Sequence, residues 1–475
     1  MIKSPLYSAI LKSVSGRLST YIVQFASLAI YARLFTPEEF GIMASIQVFV
    51  IFFQMIADFG IGPAIINEEE CSSNKRDGIF TVTAIIGSIL AIIFFFFSYL
   101  LNSFYSGYEY QNIAFFVCLA IFFSTLNIVP MTSMNKDTKF IHLAAIDIFV
   151  ECLSLTVVYV LYSMGFGLLA LATRPATQST IKFLLTWFLS LKTELGRPYL
   201  GCELYHIKSI LSFSLYQFAF NFINYFSRNL DNILIAKYFG MASVGLYQKS
   251  YQLMRYPLMV TTFAMAPAIQ PILTKVRNDK NKVIREHNLL TSRLLALSLP
   301  ISFFMFVNSY NLILFLLGEQ WLAIEPLIKI FTLMIPIQAV LSTSGSFFQV
   351  MNQPRLLFIA GALAAIVNVT AIITGIILGK MEYVAFYLVI AFSINFFCSY
   401  HILFQYCFRS RATDFYLCLL KVLALMALPI ALYYIVNVAF LSNYHYSAFV
   451  DLLVNFSFGL ISIALFFVPI KKILK

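Results

Sequence analysis

The sequence predicts an all-α polytopic membrane protein of about fourteen transmembrane helices. They are expected as two six-helix lobes related by a parallel repeat, followed by two additional C-terminal helices, with both termini cytoplasmic. Three observations predict this. Hydrophobic residues make up 60% of the chain and charged residues 11%, with 50 phenylalanines among 475 residues. Soluble globular chains hold about 45–50% apolar and about 25% charged residues, so this much apolar surface must face lipid. The apolar runs also recur at the length of a bilayer crossing, and the lysines and arginines collect in alternate connections.

A spanning helix needs roughly 20 apolar residues. By that ruler the runs fall near 13–35, 41–66, 79–101, 112–134, 143–163, 168–191, 209–239, 243–271, 291–317, 327–351, 356–379, 383–407, 415–440 and 448–470. The first run leads into further spans rather than a soluble domain, so no cleavable signal peptide is expected. One set of connections carries Lys3, Lys12, Lys75, Arg76, Lys136, Lys139, Lys192, Arg197, Lys208, Lys275, Arg277, Lys280, Lys282, Arg285, Arg355, Arg409, Arg411, Lys471, Lys472 and Lys475. The other carries only Arg33, Lys237, Lys329 and Lys380, beside Glu38, Glu39, Glu109, Glu319 and Glu382. Basic connections stay in the cytoplasm, which places both termini there, and an even helix count agrees. Most of the +11 net charge is this bias. It is not a nucleic-acid surface.

Other classes are disfavoured. The seven cysteines show no paired spacing and the five histidines are scattered, so neither a disulfide framework nor a zinc site is expected, and no cofactor. The longest polar connections are 192–208 and 272–290, with no soluble domain and no P-loop or Rossmann glycine pattern. A membrane glycosyltransferase or polymerase would carry its catalytic acids on a substantial outward loop. The outward connections here are a few residues long, and an enzyme is not expected.

An internal echo supplies the repeat. MIADFGIGPAI (55–65) returns as MVTTFAMAPAI (259–269), and YARLFTPEEFG (31–41) aligns with IAKYFGMASVG (235–245) at the same offset of 204 residues. Ala32/Ala236, Phe35/Phe239, Gly41/Gly245, Met55/Met259, Phe59/Phe263, Pro63/Pro267, Ala64/Ala268 and Ile65/Ile269 coincide, and Arg33 meets Lys237. Both members fall at the first-to-second helix junction of a six-helix half. An offset of six helices keeps the halves in one orientation, a plan that transporters use with a midplane site between repeats. The expected domains are residues 1–200, 201–408 and the additional pair 409–475.

ADFGIGPAII (57–66), NLDNILIAKYFG with VGLYQKSYQLMRYPL (229–258), LGEQWLAIEPLIKIF (317–331) and QVMNQPRLLF (349–358) resemble the polysaccharide-transporter branch of the multidrug/oligosaccharidyl-lipid/polysaccharide flippases. That branch includes Wzx-type O-antigen and exopolysaccharide flippases. The resemblance runs from about residue 12 to 360 and sits in scaffold motifs, not in substrate-specific ones. It implies translocation of an undecaprenyl-pyrophosphate-linked oligosaccharide from the inner to the outer leaflet of the bacterial inner membrane, by alternating access around a cationic cavity. It also implies membrane lipids and a polysaccharide polymerase as partners. A multidrug or small-cation antiporter of the same superfamily is the alternative; it requires a dominant buried acid and an uncharged or negative cavity.

Site residues must come from intramembrane charges, which cost roughly 2.5–3.5 kcal/mol each to insert and usually face a cavity or a partner. The cations are Arg17, Arg174, Lys182, Arg228, Lys249, Arg255 and Arg293; the acids are Asp58, Asp147, Glu151 and Asp231. Arg17 and Arg293 lie near the cytoplasmic interface and can snorkel. Arg228 and Asp231, three apart, can form a local pair. Arg255 and Lys182 sit roughly 12 Å or more from either end of their spans at 1.5 Å per residue, and Arg174 precedes Pro175, where a broken helix is expected. Cations outnumber acids, which suits pyrophosphate, an anion that arginine grips with two parallel hydrogen bonds. Gln217, Asn221 and Asn224, interleaved with aromatic rings in 214–229, can line a sugar path or tie helices together. Asp58 has no counterpart in the echo, where Thr262 stands. It is expected to pair with Arg174 or Lys182, or else to couple a proton or sodium ion. Asp147 and Glu151, one turn apart, can share a proton or pair with lysines. No ATP motif competes with an ion gradient or membrane potential as the energy source.

Overall fold

The computed structural model describes the chain except residues 1–4, 59–60, 68–71, 106, 205–221, 223–224, 260–261, 263–268, 270–272, 275–276, 440–446 and 467–475, and the side chains of 5–15, 17, 63, 64 and 67. Every regular element among the described residues is helical. The chain divides into two compact units, Met1–Gly245 and Leu246–Lys475.

The first unit runs α1 (Pro5–Leu34), α2 (Pro37–Asp58), the short α3 (Ile61–Asn67), α4 (Ser73–Tyr105), α5 (Gln111–Leu126), α6 (Ile128–Lys136), α7 (Phe140–Ser163) and α8 (Leu168–Leu189). Residues 225–239 are helical, and the unit ends in the first turn of α9 (Met241–Leu258). Local chemistry explains the start of α2. The Thr36 amide donates to Glu39 Oε2 at 2.9 Å while the Glu39 amide donates to Thr36 Oγ1 at 3.3 Å. That is a capping box, with Pro37 at the first helical position, where a missing N–H costs nothing. α7 packs on α1 and α8, and α5 on α4 and α8.

The polar connection after α8 is pinned down. The Gly201 amide donates to Thr81 Oγ1 at 2.7 Å, the Tyr199 amide donates to Asp77 Oδ1 at 2.9 Å, and the buried Arg76 donates to the Leu195 carbonyl.

The echoed glycines meet within the first unit. A Cβ on Gly41 would lie 1.7 Å from the Met241 carbonyl oxygen, and one on Gly245 would lie 1.9 Å from the Pro37 carbonyl oxygen. Pro37 and Met241 are themselves equivalent under the 204-residue offset (37 + 204 = 241). The contact is therefore reciprocal, backbone on backbone, at the end of α2 that carries Glu38 and Glu39. Next to it, Tyr110 Oη lies 2.7 Å from Ser45 Oγ and donates to Met241 Sδ at 3.7 Å.

The second unit holds α10 (Lys280–Val307), α11 (Ser309–Leu316), α12 (Glu325–Thr332), α13 (Met334–Leu341), α14 (Ser344–Val350), α15 (Pro354–Ile377), α16 (Met381–Ile402), α17 (Thr413–Ala439) and α18 (Ala448–Leu465). Its core gathers on His287 of α10. This side chain is fully buried and ringed by Phe347, Phe415, Tyr400, Phe404 and Phe408, with ring centroids 4.7 to 5.8 Å away. A second buried cluster ties in the last two helices: Asn308 donates to Tyr433 Oη at 2.7 Å, and Tyr433 Oη and Asn437 both donate to Asn455 Oδ1. Such amide and hydroxyl links hold helices together where lipid gives apolar faces no reason to associate.

Among the described residues, nine helices are long and apolar enough to cross a membrane, or ten if the bent pair Glu319–Thr332 and Met334–Val350 is one span. The run expected at 327–351 is this broken pair, bent by 48°. Pro336 lacks the N–H that Thr332 O would accept in a continuous helix. Ser302 Oγ satisfies that carbonyl instead, at 2.6 Å. At Pro175 the outcome is the reverse of the expected break, because α8 continues through it. The proline lies early in the helix and removes a single backbone bond. Exposed apolar side chains such as Ile92 and Phe96 on α4, Ile366 and Ile377 on α15, and Leu428 and Ile435 on α17 are lipid-facing surface, as a multi-pass membrane protein requires.

Candidate functional site

Two acids and two cations among the expected site residues form ion pairs with each other. Two pairs lie between α7 and α8, which pack against each other. Lys182 Nζ lies 2.6 Å from Asp147 Oδ1, and Arg174 Nη2 lies 2.9 Å from Glu151 Oε1. The sequence places these groups on facing stripes. Asp147 and Glu151 are four residues apart on α7, while Arg174, Gln178 and Lys182 recur every four residues on α8, one face of a 3.6-residue helix. Gln178 Nε2 donates to Glu151 Oε2 at 2.8 Å, and the Arg174 guanidinium carbon sits 4.5 Å from the Tyr31 ring centroid of α1. Each carboxylate thus has its own cation, and the two acids are not left to share a proton. Arg174 and Lys182 are also not partners of Asp58. That acid ends α2, and its carboxylate accepts the Gly62 amide in the first turn of α3.

The remaining charges differ in environment. Arg228 is exposed and Asp231 is 5% exposed. No ion pair joins them among the described residues. The Asn232 amide donates to Asp231 Oδ1 at 2.8 Å. In the second unit, Lys249 is 4% exposed, with Nζ 3.4 Å from Gln252 Oε1. Arg255 is exposed near the described end of α9. α9 is described to Leu258; residues 259, 262 and 269 are also helical, and the rest of the run expected to 271 lies outside the described residues. Arg293 is exposed on α10. The side chain of Arg17, together with Lys208, Gln217, Asn221, Asn224, Phe263, Pro267, Ala268, Lys275, Lys471, Lys472 and Lys475, lies outside the described residues.

Sequence reasoning missed Gln178, Tyr31 and His287. The first had a signal, being spaced four residues from each cation. Tyr31 and His287 owe their positions to segments distant in sequence, and no local pattern marks them. Among the described residues no cluster of three or more metal-ligating side chains occurs.

Among the described residues, wholly helical structure with nine or ten apolar helices long enough to cross a bilayer defines a polytopic membrane protein. Its fold matches that of the lipid II flippase MurJ in an inward closed conformation, with a TM-score of 0.79 at 16% identity over 98% of this chain and all of that one (100%). An inward-facing multidrug resistance MATE transporter of the MOP superfamily gives 0.60 at 14% identity, over 85% of this chain and 99% of that one. Residues 30–326 match the family described as Polysaccharide biosynthesis protein, and the chain belongs to that family. Its relatives include the teichuronic acid biosynthesis protein TuaB of Bacillus subtilis strain 168, 23% identical over 338 residues, 71% of this chain and 69% of that protein. The succinoglycan biosynthesis transport protein ExoT of Rhizobium meliloti strain 1021 is 22% identical, over 78% and 74%. The lipopolysaccharide biosynthesis protein WzxC of Escherichia coli strain K12 is 21% identical, over 77% and 75%.

Proposed function

We propose that the protein is a flippase of the bacterial inner membrane, moving an undecaprenyl-pyrophosphate-linked oligosaccharide from the inner to the outer leaflet for surface polysaccharide assembly. The observation that carries this is the sign of the surplus charge. Asp147 and Glu151 are matched by Lys182 and Arg174, Asp58 accepts the Gly62 amide, and Asp231 is outnumbered by Arg228, Lys249 and Arg255. Arg228 and Arg255 are exposed, with no ion pair among the described residues. A surplus of arginine at membrane depth suits a diphosphate and opposes a cationic drug. Relatives named for polysaccharide biosynthesis and transport, and a fold shared with a lipid II flippase, support the substrate class.

The architecture that goes with it is fourteen spans with cytoplasmic termini, in lobes 1–200 and 201–408 and an additional pair 409–475. Transport is by alternating access. Membrane potential alone favours outward movement of two negative charges by about 4.6 kcal/mol per 100 mV, at about 2.3 per charge. Proton or sodium coupling would add to this, and a polysaccharide polymerase would consume the product.

Arg255→Ala is expected to lower translocation of the lipid-linked oligosaccharide in proteoliposomes at least about tenfold, the effect of losing one charge-assisted contact, without lowering the melting temperature. Unchanged transport would remove Arg255 from the path.

A further inference from the structure

The α7–α8 ladder has a property beyond carrying charge: its cations are already occupied. At membrane depth, Arg174 and Lys182 are 30% and 26% exposed, while Glu151 is 5% exposed. Charged side chains that stay partly exposed inside a membrane face a water-filled path rather than lipid. The ladder therefore lines such a path: Arg174 lies outside Glu151, and Asp147, 34% exposed, reaches it beside Lys182. Its partners are arranged for exchange rather than for a sealed structural tie. Arg174 Nε is buried without a hydrogen-bond partner, so the guanidinium fork is only partly used. Gln178 grips Glu151 on the second carboxylate oxygen and keeps that acid hydrogen-bonded when Arg174 turns away. Gln178 also lies midway between cations whose Cα atoms are about 12 Å apart at 1.5 Å per residue. Two long side chains can converge from there on one group.

We propose that these two ion pairs act as a charge-counting filter on the lipid headgroup, with Asp147 and Glu151 serving as built-in competitors of the substrate. This rests on the flippase reading above and specifies its substrate class. A singly charged phosphodiester offers either cation an acceptor no more highly charged than the carboxylate it already holds. Exchange gains nothing. A diphosphate diester carries a charge on each of two adjacent phosphorus centres, and Arg174 and Lys182 engage both at once with charge-assisted bonds. The filter thus admits a polyprenyl diphosphate sugar and rejects a polyprenyl monophosphate sugar of the same glycan. It discriminates partly by repulsion, since the acids penalise every anion and only the dianion recovers the loss.

The test measures binding of two synthetic ligands to the full-length protein in detergent or nanodiscs. One is a polyprenyl diphosphate sugar; the other is the matching polyprenyl phosphodiester sugar. Wild type is expected to prefer the diphosphate at least about tenfold, the equivalent of one ion-pair exchange. Glu151→Gln and Asp147→Asn keep the side-chain shape and a hydrogen-bond acceptor for the cation. Each is expected to bind the phosphodiester about tenfold tighter and to reduce the preference to about threefold or less. Two variants at separate rungs guard against one failing to fold. Weaker or unchanged binding of the phosphodiester by both folded variants, with the wild-type preference intact, would show the pairs to be structural ties and overturn the filter while sparing the flippase. Failure of wild type to bind either ligand would sink the flippase reading and the filter together.

Discussion

Gly41→Ala is expected to force α2 and α9 apart at their crossing, and Gly245→Ala to do the same from the other side. The first methyl group would sit 1.7 Å from the Met241 carbonyl oxygen and the second 1.9 Å from that of Pro37. Both obstacles are backbone, so no side-chain rotation relieves them. Overpacking of this kind costs about 1–3 kcal/mol or more. In a transporter that changes state, such a cost shifts populations about fivefold to more than a hundredfold. Because both methyl groups press on one crossing, the double variant is expected to lose little more than either single one, the non-additivity of groups that share a contact. Melting temperatures of the two single variants and the double variant check this. Small, additive losses would mean that the helices do not meet this closely.

His287→Ala is expected to be the most destabilising single change in the second unit, by about 3–5 kcal/mol, as for aromatic truncations in packed cores. Five rings surround the imidazole and none of its surface is exposed. Its Nδ1 lies 3.0 Å from Asn288 Oδ1, whereas Nε2 has no hydrogen-bond partner. Ring volume therefore matters more than polarity, and His287→Phe should restore most of the loss. Thermal unfolding in detergent decides it. If phenylalanine failed as badly as alanine, the polar bond rather than packing would be holding α10 in place.

The membrane class and the helical architecture were legible in the sequence because they rest on a local quantity, the length of the apolar runs. The capping box of Thr36 and Glu39 starts α2 at Pro37, ahead of the 41 expected from apolar length alone. The echo at 204 residues was legible as a pattern, and the reciprocal contact of Gly41 and Gly245 gives it a physical reason, since two backbones touch only where neither carries a side chain. Charge partners were less legible. Asp58 was expected to seek Arg174 or Lys182, but helix packing sets those cations against Glu151 and Asp147. Which stripe of α8 faces α7 is a tertiary fact. Pro175 misled in the same way, because a proline signals a break only when nothing else holds the helix straight. His287 carried no signal at all. Its cage comes from segments between 60 residues (347 − 287) and 128 residues (415 − 287) away.

The central claim concerns what moves. Wild-type protein should be reconstituted in liposomes with an inside-negative potential, and outward translocation of an undecaprenyl-pyrophosphate oligosaccharide followed beside uptake or efflux of a cationic dye. The account predicts that the sugar lipid moves, faster with the potential than without it, and that the dye does not. Dye moving while the lipid-linked sugar stays in its leaflet would contradict the account and identify a cation antiporter on the same fold.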